Sequence, residues 1–161
     1  MRSTRLWTIV VIVTVVATAI AFTACGGPPG TSGVGPAVQF LEPGDFNAAD
    51  YAGKPLVVNF FGSWCGPCNA EAPELAEFAK AHPEAQFVGV AVDDSEGDIT
   101  SFMNEYGLTY PVVVDDDSLA TKYGITGVPE TFFFGAGGGQ KDHIIGSASR
   151  DRFEAGLAAA Q

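Results

Sequence analysis

The stretch Asn59-Phe60-Phe61-Gly62-Ser63-Trp64-Cys65-Gly66-Pro67-Cys68-Asn69-Ala70-Glu71 carries two cysteines separated by Gly-Pro, at a point where the hydrophobic pattern changes period. On its upstream side, Pro55 to Phe61 is short, apolar and rich in β-branched and aromatic residues, which predicts a buried strand. On its downstream side, Leu75, Phe78 and Ala79 recur at helical spacing, which predicts a helix through Lys80. The dithiol therefore falls at a strand-to-helix junction. Pro67 suits the first helical turn, where its missing N–H is not needed, and Cys65 then lies among unpaired amide donors. Those donors favour thiolate over thiol at Cys65, while Cys68, one turn further in, is more shielded. Cys65 is the expected attacking nucleophile and Cys68 the expected resolving thiol, working through a mixed disulfide.

A structural zinc site would need two further ligands. The remaining cysteine and the two histidines, Cys25, His82 and His143, do not stand at paired ligand spacing, so no metal is expected. No cofactor is expected either.

Cys-x-x-Cys beside a βαβ pattern resembles the thioredoxin superfamily, and the resemblance runs from about Val38 to the end of the chain. Gly127-Val128-Pro129-Glu130-Thr131-Phe132-Phe133-Phe134 resembles the loop of that family in which a cis proline faces the dithiol and leads into a strand. The resemblance implies a client-binding surface made of Trp64, Gly66, Pro67, Val128, Pro129 and Glu130.

Thioredoxin itself carries a buried aspartate six residues before its first cysteine, where this chain has Asn59, and an amide cannot exchange a proton as a carboxylate does. Glu71 is three residues after Cys68, about one helical turn on. It matches an acidic residue of the extracytoplasmic branch that includes the TlpA, ResA and DsbE types. A carboxylate there, with a raised pKa, would shuttle a proton during exchange; the bland alternative is a solvated helix charge beside Glu74 and Glu77. Glu130 resembles the Pro-Glu-Thr of the cytochrome-maturation thioredoxins and is expected as a second acidic group near the site.

Further strands are expected at Gln86 to Val92 and Tyr110 to Val114, with helices from about Ser95 to Tyr106, capped by Gly107, and from Ser118 to Tyr123. This additional β/α material is similar to the central insertion of TlpA-like and peroxiredoxin-like proteins. A hairpin turning at Gly135 to Gly139 and a closing helix from about Ser149 to Ala159 complete the pattern. The glycine-rich turn has no Gly-Lys-Ser/Thr ending, so it reads as a hairpin loop and not a phosphate cradle. Asp115-Asp116-Asp117 lacks the alternating spacing of a calcium loop and reads as a solvated turn. The expected fold is an α/β, thioredoxin-like three-layer domain, a central mixed sheet with helices on both faces and a TlpA-type central insertion, over residues 37–161.

The amino terminus reads as an address. Arg2 and Arg5 precede an uncharged apolar run from Leu6 to Phe22, a membrane-targeting pattern. Thr23-Ala24-Cys25-Gly26 resembles the processing site of bacterial lipoproteins, with Phe22 where leucine is usual. Residues 1–24 are expected as a signal peptide and Cys25 as the lipidated residue, with an uncleaved signal anchor as the alternative. Residues 25–36, almost all Gly, Pro, Ser and Thr after the cysteine, read as a flexible tether.

Removing the first 24 residues takes away two of the eight basic residues and none of the 19 acidic ones, leaving a formal charge of −13. Such acidity argues against nucleic acid and against adhesion to anionic lipid. The expected function is a membrane-tethered, monomeric thiol:disulfide oxidoreductase on the outer face of the cytoplasmic membrane. By resemblance it reduces disulfides in exported clients such as apocytochrome c, with electrons from a membrane-embedded thiol transporter. Two other enzyme classes stand beside it: an oxidase that introduces disulfides into secreted proteins, and a thiol peroxidase, which lacks its Thr-x-x-Cys because Gly62 occupies the threonine's place.

Overall fold

The computed structural model describes residues 37–161. The expected signal peptide, the lipidation site Cys25 and the tether lie outside the described residues. Among the described residues no helix is long and apolar enough to cross a membrane.

A single six-stranded sheet forms the middle layer, in the order β1-β4-β3-β2-β5-β6. Its strands are β1 (Phe40–Leu41), β2 (Leu56–Phe61), β3 (Gln86–Ala91), β4 (Val112–Val114), β5 (Glu130–Phe134) and β6 (Gln140–Ile145). The first four pair in parallel, and β5 runs antiparallel to both β2 and β6, so the sheet is mixed as expected. β2 is central and buried at all six positions, which explains its unbroken apolar run.

Side chains of β2 alternate between two cores. Val57 and Phe61 face α1 (Gly66–Ala81), α2 (Glu96–Tyr106) and α4 (Arg150–Ala160). Leu56, Val58 and Phe60 face α3 (Ser118–Tyr123) together with Phe46 and Ala48 from two 3-10 turns. Helices thus cover both faces. The first core is tied together by aromatic contacts, including the stacked Phe78–Phe153 pair between α1 and α4 at 5.5 Å and the Phe61–Phe102 pair at 5.1 Å. α4 packs so closely that a methyl group added at Gly156 would come within 2.5 Å of the Phe133 ring.

Helix ends follow the chemistry read from the sequence. Gly107 ends α2 with φ of 70°, a left-handed conformation glycine adopts without cost, and its N–H donates to Met103 O. The aspartate run differs from the expected solvated turn. Asp115 is buried and its carboxylate accepts from the N–H groups of Leu119 and Ala120, capping α3 in place of the N-terminal residue Asp117.

Candidate active site

Cys65 is the N-cap of α1, and Cys65 and Cys68 form a disulfide. Gly66 opens the helix and Pro67 stands in its first turn, so the proline removes none of the helix's own hydrogen bonds. The Cys65 sulfur accepts from Cys68 N–H at 3.2 Å, one of the orphan amides of the helix start. Both cysteines are buried in this oxidised form.

The turn before Cys65 is held by side chains from elsewhere in the chain. Asp94, just after β3, accepts from the backbone N–H of Ser63 at 2.6 Å and from its hydroxyl at 2.9 Å. Asn69 donates to Ser63 O and Cys65 O, and takes a hydrogen bond from Tyr106 OH at 3.0 Å. Trp64 is 61% exposed, yet its indole N–H lies 3.2 Å from Val92 O and 3.1 Å from Asp93 O, which holds the ring against the turn after β3. That ring covers Gly62: a Cβ there would approach the indole to 2.7 Å. The threonine of a peroxidase motif would not fit at this position without moving Trp64.

Opposite the dithiol runs the loop Gly127-Val128-Pro129. The Val128–Pro129 bond is cis, and Val128 O lies 3.4 Å from Cys65 Sγ. A groove runs between Trp64 and the Gly127-Val128 segment of this loop, lined also by Ile125, Thr126 and Asp117. Its lining mixes the indole, Val92 and Ile125 with the polar Asp117, Thr121 and Thr126.

Glu71 differs from a solvated helix charge: it is 3% exposed, on the face of α1 that packs on the sheet. One carboxylate oxygen accepts from Asn59 Nδ2 at 3.1 Å and the other from Ala148 N–H at 3.0 Å. Asn59 also donates to Thr131 Oγ1 at 2.9 Å, linking β2 to β5 on the face that packs against α1. Burial pushes the Glu71 carboxyl up to about 7, and the two hydrogen bonds, which favour the charged form, only partly offset it. At neutral pH this group exchanges a proton at little cost in either direction. Tyr110 is held neutral by burial and, to a smaller extent, by the Glu71 charge.

The structure does not bring Glu130 to the dithiol. Along β5, Thr131 and Phe133 point to the α1 face while Glu130, Phe132 and Phe134 point to the other. Glu130 is buried there, accepting from Thr126 N–H at 3.3 Å and from His143 Nε2 at 2.7 Å. It backs the loop from behind Thr126 and is not among the residues that line the groove. Asp94, Tyr106 and Thr131 did not emerge from the sequence because each meets the site only through tertiary contacts, and Asn69, though next to Cys68, carries no signal of the local bonds it makes to Ser63 O and Cys65 O. The described residues hold no cluster of side chains that could bind a metal ion.

The family model that matches this chain, over residues 36–139, is that of the AhpC/TSA family. The thiol-disulfide oxidoreductase ResA of Bacillus anthracis is 32% identical over 120 residues, which cover 73% of this chain and 69% of that protein. Among solved structures, the DsbF protein of Mycobacterium tuberculosis, in mixed oxidised and reduced forms, superposes with a TM-score of 0.67 at 32% identity, covering 72% of this chain and 87% of that one. A secreted disulfide oxidoreductase of the same organism, homologous to Escherichia coli DsbE, superposes with a TM-score of 0.65 at 32% identity, covering 71% and 87%.

Proposed function

Because the chain belongs to the AhpC/TSA family, as a ResA/DsbE-like thiol:disulfide oxidoreductase of the thioredoxin superfamily, we propose that it is a membrane-tethered reductant of exported proteins. Apocytochrome c, whose cysteines must be reduced to receive haem, is the proposed client class. The observation that carries this reading is the Cys65–Cys68 disulfide at the start of α1 with a buried carboxyl of pKa about 7 one turn behind it.

In the reduced protein, the Cys65 thiolate attacks one sulfur of the client disulfide, and the client's other sulfur leaves as thiolate and takes up a proton. The mixed disulfide so formed is held between Trp64, with Gly66 and Pro67, on one side and Val128-Pro129 on the other. Cys68 then gives its proton towards Glu71, attacks Cys65 Sγ and releases the second client thiol. Two electrons have passed from the dithiol to the client. The Cys65–Cys68 disulfide left behind is reduced in turn by a membrane-embedded thiol transporter. In this proposal the thioredoxin-like domain spans residues 37–161 and works as a monomer, held outside the cytoplasm by lipid on Cys25 through the tether 25–36 after removal of residues 1–24.

Direction is tested by the reduction potential. Gly-Pro between the cysteines is the thioredoxin dipeptide, and thioredoxin stands at about −270 mV against about −120 mV for a strong periplasmic oxidant. Equilibrating the purified protein with dithiothreitol or glutathione buffers should give a value near the first. A value near the second, with Cys65 and Cys68 found oxidised in cells, would promote the disulfide-introducing alternative. Anchoring is tested separately: Cys25→Ala should lose fatty-acid labelling, and an unchanged size and membrane fraction would favour an uncleaved anchor.

A further inference from the structure

Glu130, buried, and His143, partly buried, form a pair that the thiol chemistry does not use. The Glu130 side chain is 4% exposed and that of His143 is 27% exposed. The imidazole lies flat on Phe132, with ring centroids 3.9 Å apart and 14° between planes, so its Nε2 is aimed at the carboxylate and cannot swing away. The second carboxylate oxygen reaches forward to Thr126 N–H, at the start of the loop that ends in Pro129. Thr126 N–H has this carboxylate as its partner, while the rest of the loop is held by Val128 packed against both cores and by its backbone. Pro129 O accepts from Gly146 N–H at 2.9 Å, Val128 O faces Cys65, and Thr126, Gly127 and Val128 form one wall of the groove.

We infer that Glu130 and His143 are positioning residues, a clasp that holds the loop 126–129 at its distance from Cys65 and so sets how tightly the groove grips a peptide client. This rests on the reading of the groove as the client site. A carboxylate is suited to the task because its two oxygens satisfy a backbone N–H and an imidazole at once, and leaving either donor buried without a partner is costly. The pair acts from the face of the sheet opposite α1, so it alters the grip without touching the sulfurs or Glu71.

The test separates a substrate that needs the groove from one that does not. Insulin, with dithiothreitol to reduce the protein again after each turnover, serves as the peptide disulfide, and dithiobis(nitrobenzoate), in a single turnover with the full chain reduced beforehand, as the small one. His143→Phe keeps the ring on Phe132 and removes Nε2. It should raise KM for insulin about ten-fold with kcat little changed, and leave the rate with the small disulfide within about two-fold. His143→Gln, which can donate to the same oxygen, should recover most of the loss. Equal slowing of both substrates, or an unchanged insulin KM in both His143→Phe and Glu130→Ala, would overturn the clasp. Parent protein that reduces the small disulfide but not insulin would instead overturn the groove as the client site, so the two failures are distinguishable.

Discussion

Two glutamates, Glu71 and Glu130, lie equally buried on opposite faces of the sheet, at 3% exposure each, and do different things. They are close in the fold: Asn59, which binds Glu71, pairs with Thr131, and the next residue, Phe60, pairs with Glu130. Glu71 meets only neutral donors, an amide side chain and a backbone N–H, and these offset only part of the cost of charging it. Glu130 meets an imidazole that can carry charge and a backbone N–H belonging to a loop. Burial alone does not assign a role. The partners do: neutral ones leave a carboxyl poised to take or give a proton, whereas a histidine and a loop amide turn a carboxylate into a fastening.

The comparison presupposes that the chemistry sits on the α1 side, and the largest expected effects lie there. Cys65→Ser should abolish disulfide exchange. Cys68→Ser should accumulate a covalent complex with client, because Cys65 still attacks and nothing resolves the product. Non-reducing electrophoresis of both variants from cells reads this directly, and equal trapping by the two would overturn the assigned roles.

Glu71→Gln should slow exchange by about 10- to 100-fold, at the lower end of what a positioned acid or base contributes, and flatten the pH–rate profile around 7. Stability gives a second reading. The folded carboxyl titrates at about 7 against an ordinary 4.5, so the folded state holds the proton more tightly than the unfolded chain. The stabilisation this supplies is fully present below pH 4.5 and lost as pH rises through about 7. The 2.5-unit difference corresponds to about 3 kcal/mol. Urea titrations of the oxidised protein at pH 4.5 and 8 should show that loss in the parent and not in Glu71→Gln. A parallel loss in both would return Glu71 to an ordinary helix charge.

Much of this was legible in residue order, and the rest fails for identifiable reasons. The dithiol, its strand and its helix are local patterns, as are the caps at Gly107 and Gly124, and all appear where the sequence puts them. β1 is two residues long, and only its pairing with Val112–Val113 makes it a strand. The side of the sheet that Glu130 takes was not legible because β5 is buried on both faces: in Glu-Thr-Phe-Phe-Phe no polar alternation says which side faces α1. His143, thirteen residues on across a hairpin, is joined to it only by the strand register. Asp115 looked like one of three solvated aspartates, and only the turn into α3 reveals it as the cap.

Asn59→Asp sharpens the comparison from the other direction. It replaces the amide that donates to Glu71 Oε1 at 3.1 Å with a second carboxylate, which can approach only if one of the two is protonated. The pair then titrates as a unit, with its upper apparent pKa above the value of about 7 that Glu71 has alone. The alkaline limb of the pH–rate profile should move up by about one unit or more. A profile left in place would mean that the proton exchanged with Cys68 does not pass through this pocket.

The smallest expected effect belongs to Glu130→Gln. The amide oxygen can still accept from Thr126 N–H, and the amide nitrogen can donate to a neutral His143, so the clasp is weakened but not opened. The carboxylate lost lies across the sheet from the cysteines and takes no part in their proton exchange. With a small disulfide as substrate, the pH–rate profile of Glu130→Gln should therefore superimpose on that of the parent across pH 5 to 9, while Glu71→Gln departs from it near 7. If Glu130→Gln instead shifts the same limb as Glu71→Gln, the two carboxylates share one titration through the sheet, and the division between a proton carrier and a fastening does not hold.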